Sequence, residues 1–400
     1  MLDLAEAQRR VLEAVTPGPP ETAALTAAGG RILRERIDAP VDLPPFDNSA
    51  MDGYALRSPD VAAASAGEPV ALVCVASVAA GASVTEPLAS GTCARIFTGS
   101  PLPPGADAVV MQEDTRTDQD QPNRVWFLDR ARPGENVRFR GEDVRRGAPL
   151  ADSGARLTAG RLALLGACGR KTVLVGRAPR VALLATGSEL REAGEALDPG
   201  QIYESNRVAL AMLASQAGAA PQVRPLVPDE PAATAAALEQ AFADDDLVVT
   251  TGGVSVGEHD LVKRAFTDLG GELAFWRVAI KPGKPFAFGR WRGKLLFGLP
   301  GNPVSALVTF WLLVRPALMR LQGAADCSPP TQPGILAEAL TNPGDRTHFV
   351  RVVVETTGVR SAGRQASHAL ASLARSDGLV EVGPQTTLAM GAAVTVLTWR

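Results

Sequence analysis

Three glycine-bearing turns carry most of the chemistry this sequence could perform. They read Thr186-Gly187-Ser188-Glu189, then Gly252-Gly253-Val254-Ser255-Val256-Gly257-Glu258-His259-Asp260, and Leu299-Pro300-Gly301-Asn302-Pro303-Val304-Ser305. Each follows a strand-like run, and the second and third lead straight into a helical pattern. Glycine admits positive φ and close backbone approach. A helix start adds unpaired N–H groups and the positive end of its dipole. Together these bind phosphate. One such turn could simply end a strand, but three in one segment argue for an anion site. None has the spacing of a P-loop or of the G-x-G-x-x-G dinucleotide fingerprint.

Carboxylates sit beside these turns. Glu189 follows the first, Asp260 lies three residues past Gly257, and Asp229 precedes a helical pattern after the intervening strand. The bland reading makes Asp229 a helix N-cap. It makes Glu189 and Asp260 first-turn acids worth about 0.3–1 kcal/mol to the helix dipole. Acids next to a phosphate site otherwise repel it, which points to a bridging Mg²⁺ on Glu189, Asp229 and Asp260. Positive charge comes from Lys281-Pro282-Gly283-Lys284-Pro285. Its bland reading is a solvated turn, but prolines limit the loop's freedom and so lower the ordering cost of binding an anion. Two further stretches stand out, Pro44–Ala55 with Asp47 and Asp52, and Arg95–Val110 with Thr98 in a strand–rigid loop–strand pattern.

The elements that must hold these turns follow from periodicity. Residues 1–15 read as a short amphipathic helix closed by Pro17-Gly18-Pro19-Pro20. Valine-rich runs between Gly/Pro turns over 25–138 indicate β-structure. From Arg180, strands and helices alternate up to a helix from Pro303 to Leu321, which implies a mostly parallel sheet with helices on both faces. Ligands of such sheets bind beyond the carboxyl ends of the strands. The expected organisation is a helical/extended linker and dimerisation region at 1–24 and 139–176, a β-rich domain at 25–138, an α/β domain at 177–322 and a small β-barrel-like domain at 323–400.

Bulk properties exclude several function classes. A net charge of −3 over 400 residues, with 5% aromatics, argues against a general nucleic-acid binder. Four scattered cysteines and three histidines argue against a thiolate or histidine-rich metal site. The apolar run Val304–Leu313 is too short to span a bilayer before Arg315 and Pro316, and Met1–Glu6 is no signal peptide. A cytoplasmic protein without membrane contact is expected.

The blocks PFDNSAMDGYA, RIFTGSPLPPGADAVVMQED, IYESNR, GGVSVGEHD, AIKPGKPFAFG and GLPGNPVSA, in that order, resemble the signatures of the molybdopterin molybdotransferase family, which comprises bacterial MoeA and the matching domain of gephyrin. The resemblance spans residues 44 to about 306 and is looser beyond. It implies a multidomain α/β plus β homodimer that binds adenylylated molybdopterin and molybdate, inserts molybdenum, and releases AMP with Mg²⁺. It also implies transient contact with an adenylyltransferase and with acceptor molybdoenzymes. Carried over by motif, Asp52, Thr98, Glu189, Asp229 and Asp260 would be catalytic. Gly187, Ser188, Gly252, Gly253, Ser255, Gly257, Lys281, Lys284, Pro300, Pro303, Ser305, Arg351 and Ser367 would bind substrate. The first turn here reads TGSEL where many members have TGDEL, so Ser188 replaces an acid. The rival readings are a molybdopterin adenylyltransferase, for which 25–155 and 323–400 would be surplus, a gephyrin-type scaffold, and an α/β protein for another phosphorylated ligand.

Overall fold

The computed structural model describes residues 1–82, 85–253 and 261–399. The chain divides into two compact units. One comprises Met1–Glu35, Ser153–Thr158 and Thr172–Arg400, and the other Arg36–Asp152 with Ala159–Lys171.

The larger unit is built on a six-stranded mixed sheet in the order Ala220–Val223, Arg180–Ala185, Leu247–Thr251, Lys294–Leu299, Pro285–Trp291, Glu272–Arg277. The first four strands are parallel and the last two pairings are antiparallel. Because side chains alternate along a strand, both faces must be covered. Val181, Leu183, Leu247 and Val249 pack into one core, and Ala182, Leu184 and Val248 into another. Helices Asn206–Gln216 and Pro303–Leu321 cover the first face. Helices Pro231–Asp244 and Leu261–Asp268 cover the second. The expected helices on both faces are present, and the parallel part of the sheet is four strands wide.

Helix Pro303–Leu321 is long and apolar enough to cross a membrane, but 83% of its apolar window is buried in the fold. It contains a π turn at Phe310–Val314. The N-terminal helix Leu4–Glu13, capped by Asp3 accepting the Glu6 N–H at 2.8 Å, inserts Ala7 and Val11 into the same core.

Two local readings need correction. The apolar pattern of 273–280 suggests one strand, but the strand ends at Arg277 and a separate two-residue strand, Ile280–Lys281, follows. That short strand leaves the α/β sheet and pairs in parallel with Thr347–Glu355, the long strand of the C-terminal β-part. Lys281 is therefore half-buried in a ladder rather than in a solvated turn. The C-terminal sheet continues through Gly378–Val382, Ala393–Thr398 and Thr331–Ile335 around a core of Val350, Val352, Val380, Val382 and Val396.

The smaller unit has its own six-stranded sheet, ordered Ala108–Met111, Gly53–Leu56, Thr92–Ile96, Val70–Val78, Arg124–Phe127, Thr115–Thr117. Alternate residues again serve two cores, one with Tyr54, Leu56, Cys93 and Phe127, the other with Ala55, Ala94 and Ile96.

Candidate functional site

In the larger unit the parallel strands Arg180–Ala185, Leu247–Thr251 and Lys294–Leu299 end side by side, and the turns that follow them interlock. The Thr186 N–H donates to the Thr251 carbonyl at 3.0 Å, and the Gly252 N–H to the Leu299 carbonyl at 3.2 Å. Gly252 has φ 83°, and a Cβ there would drive into the Thr186 carbonyl. Gly253 has φ 64°, and a Cβ there would lie 2.6 Å from Val262 Cγ2. A Cβ on Gly301 would contact Gly252 Cα at 3.7 Å, which brings the third turn against the second. Glycine is thus a steric requirement here. The hydroxyls of Thr186 and Thr250, at two of these strand ends, are buried without a hydrogen-bond partner among the described residues.

The acid set is partly visible. Asp229 Oδ2 accepts the Ser188 N–H at 3.1 Å, and Ser188 Oγ accepts the Asp229 N–H at 3.1 Å. The helix after it begins at Pro231 with Glu230 in the N-cap position, so Asp229 does not cap that helix as the bland reading held. Its carboxylate ties the loop before the helix to the first glycine turn. The Glu189 carboxylate lies over Gly187, 2.7 Å from where a Cβ would stand. Glu189 and Asp229 are both exposed, and exposed carboxylate oxygens suit a hard cation such as Mg²⁺. No three histidine, cysteine or carboxylate residues cluster among the described residues. Asp260, the third expected ligand, and Ser255 and Gly257 lie outside those residues, as does the expected start of the helix near Glu258.

Cations approach from the ladder that joins Ile280–Lys281 to the C-terminal sheet. Lys281 pairs in register with His348. A Cβ at Gly283, φ 112°, would press to 2.5 Å on Thr309 Cγ2, and the Thr309 hydroxyl donates to the Ser305 carbonyl at 2.8 Å. The lysine loop therefore packs on the helix that Pro303 starts. Ser305 is buried and Lys284 exposed. The Val304 N–H, in the first turn of that helix, donates to the Ser367 carbonyl at 3.1 Å. Arg351, only 1% exposed, donates from Nη2 to the carbonyls of Arg364 at 2.7 Å and Ala366 at 3.2 Å, while its Nε has no partner among the described residues. Burial holds its pKa below the ordinary arginine value. Arg351 thus fixes the segment that brings Ser367 to the helix start carrying Pro300, Pro303 and Ser305.

Two residues escaped the sequence reading. Asn206, 7% exposed, donates from Nδ2 to the Gly301 carbonyl at 2.8 Å and so pins the third turn from the start of another helix. Glu204 secures that start by accepting the N–H groups of Asn206 at 2.6 Å and Arg207 at 2.9 Å. An Asn opening a helix was the available signal, but its partner is far off in sequence. The second is His348, 5% exposed with both ring nitrogens unpartnered among the described residues. Burial first, then the charges of Lys281, Arg351 and Arg346, lower its pKa to about 4.

In the smaller unit Asp52 and Thr98 come together. Asp52 Oδ1 accepts the Thr98 N–H at 2.7 Å and its hydroxyl at 2.8 Å. These two bonds, with the nearby charge of Arg95, hold the carboxyl below its ordinary pKa. Arg95 lies over the Tyr54 ring, 5.0 Å from its centroid, and donates to Gln112. Asp47 accepts the Arg140 N–H at 2.7 Å. The two conspicuous N-terminal stretches are therefore adjacent in space.

Comparison with known proteins gives three matched regions. Residues 2–169 match the MoeA N-terminal region (domain I and II), 182–320 the probable molybdopterin binding domain, and 333–399 the MoeA C-terminal region (domain IV). Molybdopterin molybdenumtransferase 2 of Mycobacterium tuberculosis (strain H37Rv) is 38% identical over 406 residues, covering 100% of this chain and 99% of that protein. Molybdopterin molybdenumtransferase of Haemophilus influenzae is 39% identical over 385 residues, covering 94% and 93%. The crystal structure of the molybdopterin biosynthesis moeA protein from Pyrococcus horikoshii OT3 superposes with a TM-score of 0.85 at 30% identity, covering 100% of both chains.

Proposed function

The chain belongs to the MoeA family of molybdopterin molybdenumtransferases, and from that premise we propose how its own residues carry the reaction. The protein is a molybdopterin molybdotransferase: it inserts molybdenum from molybdate into adenylylated molybdopterin and releases AMP. The observation that carries the residue assignment is the interlocked edge at Thr186, Gly252 and Gly301, with the Lys281 loop packed on the adjoining helix.

The turns at Gly187-Ser188 and Gly252–Gly257 border the phosphate and pterin ends of the nucleotide ligand, glycine allowing the backbone a close approach. Lys281, Lys284 and Ser305 hold the molybdate oxyanion on the turn shaped by Pro300 and Pro303. Ser367 and Arg351 complete that side, Arg351 also fixing the 364–367 segment. Glu189, Asp229 and Asp260 would hold Mg²⁺, which when bound offsets charge on the pyrophosphate oxygens. Catalysis is then positioning and electrostatics rather than acid–base work. Asp52 and Thr98 are assigned to the same reaction by their motif, as an ionised carboxylate oriented by two hydrogen bonds.

A homodimer is part of this reading. Helix Asn206–Gln216 leaves Val208 72% and Met212 59% exposed one turn apart, and Ile202 and Tyr203 just before it are 54% and 47% exposed. A contiguous apolar surface of that kind suits a protein partner. Contacts with an adenylyltransferase and with acceptor molybdoenzymes, and a cytoplasmic location, accompany the assignment.

The residue assignment is tested with Asp260→Ala. Molybdate-dependent AMP release should be abolished while the far-UV circular dichroism spectrum is retained. Release at the wild-type rate would remove Asp260 from the metal set. Consumption of ATP with free molybdopterin, independent of molybdate, would favour an adenylyltransferase instead.

A further inference from the structure

We propose that Cys74 and Cys93 form a redox-modification site that reduces a hydroperoxide and closes reversibly to a disulfide. The two cysteines are far apart in sequence, but strands Val70–Val78 and Thr92–Ile96 run parallel with Cys74 directly paired to Cys93. Both side chains contact the same core, Cys93 fully buried within it and Cys74 half-buried at its edge. Neighbouring strands lie about 4.8 Å apart, and disulfides span Cα separations of roughly 4.4–6.8 Å, so the bond fits the strand spacing. The register shifts immediately after Cys74, and a bulge is where a ladder adjusts most readily.

The environments of the two sulfurs differ in the way a nucleophile and a resolving thiol require. A hydrogen bond from Cys93 is the largest influence on Cys74. Burial opposes it, the Arg95 backbone and charge assist it, and the result is a thiol lowered to about 6. The same pairing, together with burial, pushes Cys93 up. Cys168 and Cys327 are free thiols raised chiefly by burial, and they serve as internal references. A half-exposed thiolate beside a positive charge is the reactive form of cysteine.

The steps balance. The Cys74 thiolate attacks one peroxide oxygen, the O–O bond breaks, and the leaving oxygen departs after protonation as an alcohol, or as water from hydrogen peroxide, giving a sulfenic acid on Cys74. The Cys93 sulfur then attacks the Cys74 sulfur, the S–O bond breaks, and the hydroxyl leaves as water with the Cys93 proton. Two thiols are oxidised to one disulfide, and the hydroperoxide is reduced to an alcohol and one water, or to two waters when it is hydrogen peroxide.

The test uses the full-length protein and hydrogen peroxide at a few molar equivalents, followed by alkylation and peptide mass spectrometry. The expected result is a Cys74–Cys93 linked peptide that disappears with dithiothreitol, with Cys168 and Cys327 still alkylated. In Cys93→Ala the expected product is a dimedone adduct at Cys74. Iodoacetamide labelling of untreated protein should rise for Cys74 with a midpoint near pH 6, and for Cys327 only above pH 9. Absence of the linked peptide in the wild type, or labelling of Cys74 at the same pH as Cys327, overturns the proposal.

Discussion

Ser188 and Asp229 hold one another by two reciprocal hydrogen bonds of 3.1 Å, each side chain accepting the other residue's backbone N–H. The pair joins the loops after two neighbouring strands and ties the Asp229 carboxylate to the turn that carries Glu189. Here the serine accepts the Asp229 N–H without adding charge.

Ser188→Asp should therefore couple stability to the cation. A second carboxylate against Asp229 is repulsive unless Mg²⁺ lies between them. Thermal unfolding without Mg²⁺ should occur at a lower temperature than in the wild type, and adding Mg²⁺ should raise the midpoint more in the variant than in the wild type. Equal Mg²⁺ shifts in the two proteins would contradict the assignment of Asp229 to the metal.

Asn206→Ala should act on the third turn through the lost bond to Gly301. Gly301 is exposed, so its carbonyl can turn to water and the lost bond costs about 0.5–1.5 kcal/mol. Urea denaturation should show a loss of that size, and the KM for molybdate should rise more than kcat falls, because Gly301 lies next to the Pro300–Ser305 oxyanion turn. A KM unchanged beside a clear stability loss would make Asn206 purely structural.

Gly252→Ala should lose most AMP release. The residue is left-handed at φ 83°, and its added methyl would meet the Thr186 carbonyl. Strain at such positions is of order 1–3 kcal/mol, which a large core tolerates. Circular dichroism should report a folded protein and the assay a severe loss. Near-normal activity would mean the turn does not contact the ligand.

His348 should make the protein acid-sensitive. Its folded pKa, about 4, lies below the ordinary histidine value of 6.5. Between those values the unfolded chain binds a proton that the folded chain does not. This contribution to stability is complete above pH 6.5, declines as pH falls to about 4, and is level below. His348→Gln should flatten denaturation midpoints across that window. An unchanged slope would assign the acid sensitivity elsewhere.

The glycine turns were legible in the sequence because their requirement is local: positive φ and steric room follow from residue type. A mostly parallel sheet with helices on both faces was legible from the alternation of strand and helix patterns, and Val181, Ala182, Leu183 and Leu184 serve the two cores in turn. What escaped depends on distant partners. Asn206 meets Gly301 across 95 residues. Asp229 looked like a helix cap until Ser188 was found to satisfy it. Lys281 was legible as part of a stiff cationic loop, but its pairing into a ladder was not, because its partner strand begins at Thr347. Cys74 and Cys93 looked scattered until strand order made them neighbours.

The account turns on molybdate-dependent cleavage of adenylylated molybdopterin, and following AMP release from the wild-type protein tests it most directly. With adenylylated molybdopterin and Mg²⁺ alone, release should stay at background. Addition of molybdate should start it, and removal of Mg²⁺ with a chelator should stop it. AMP release that is equally fast without molybdate would contradict the account.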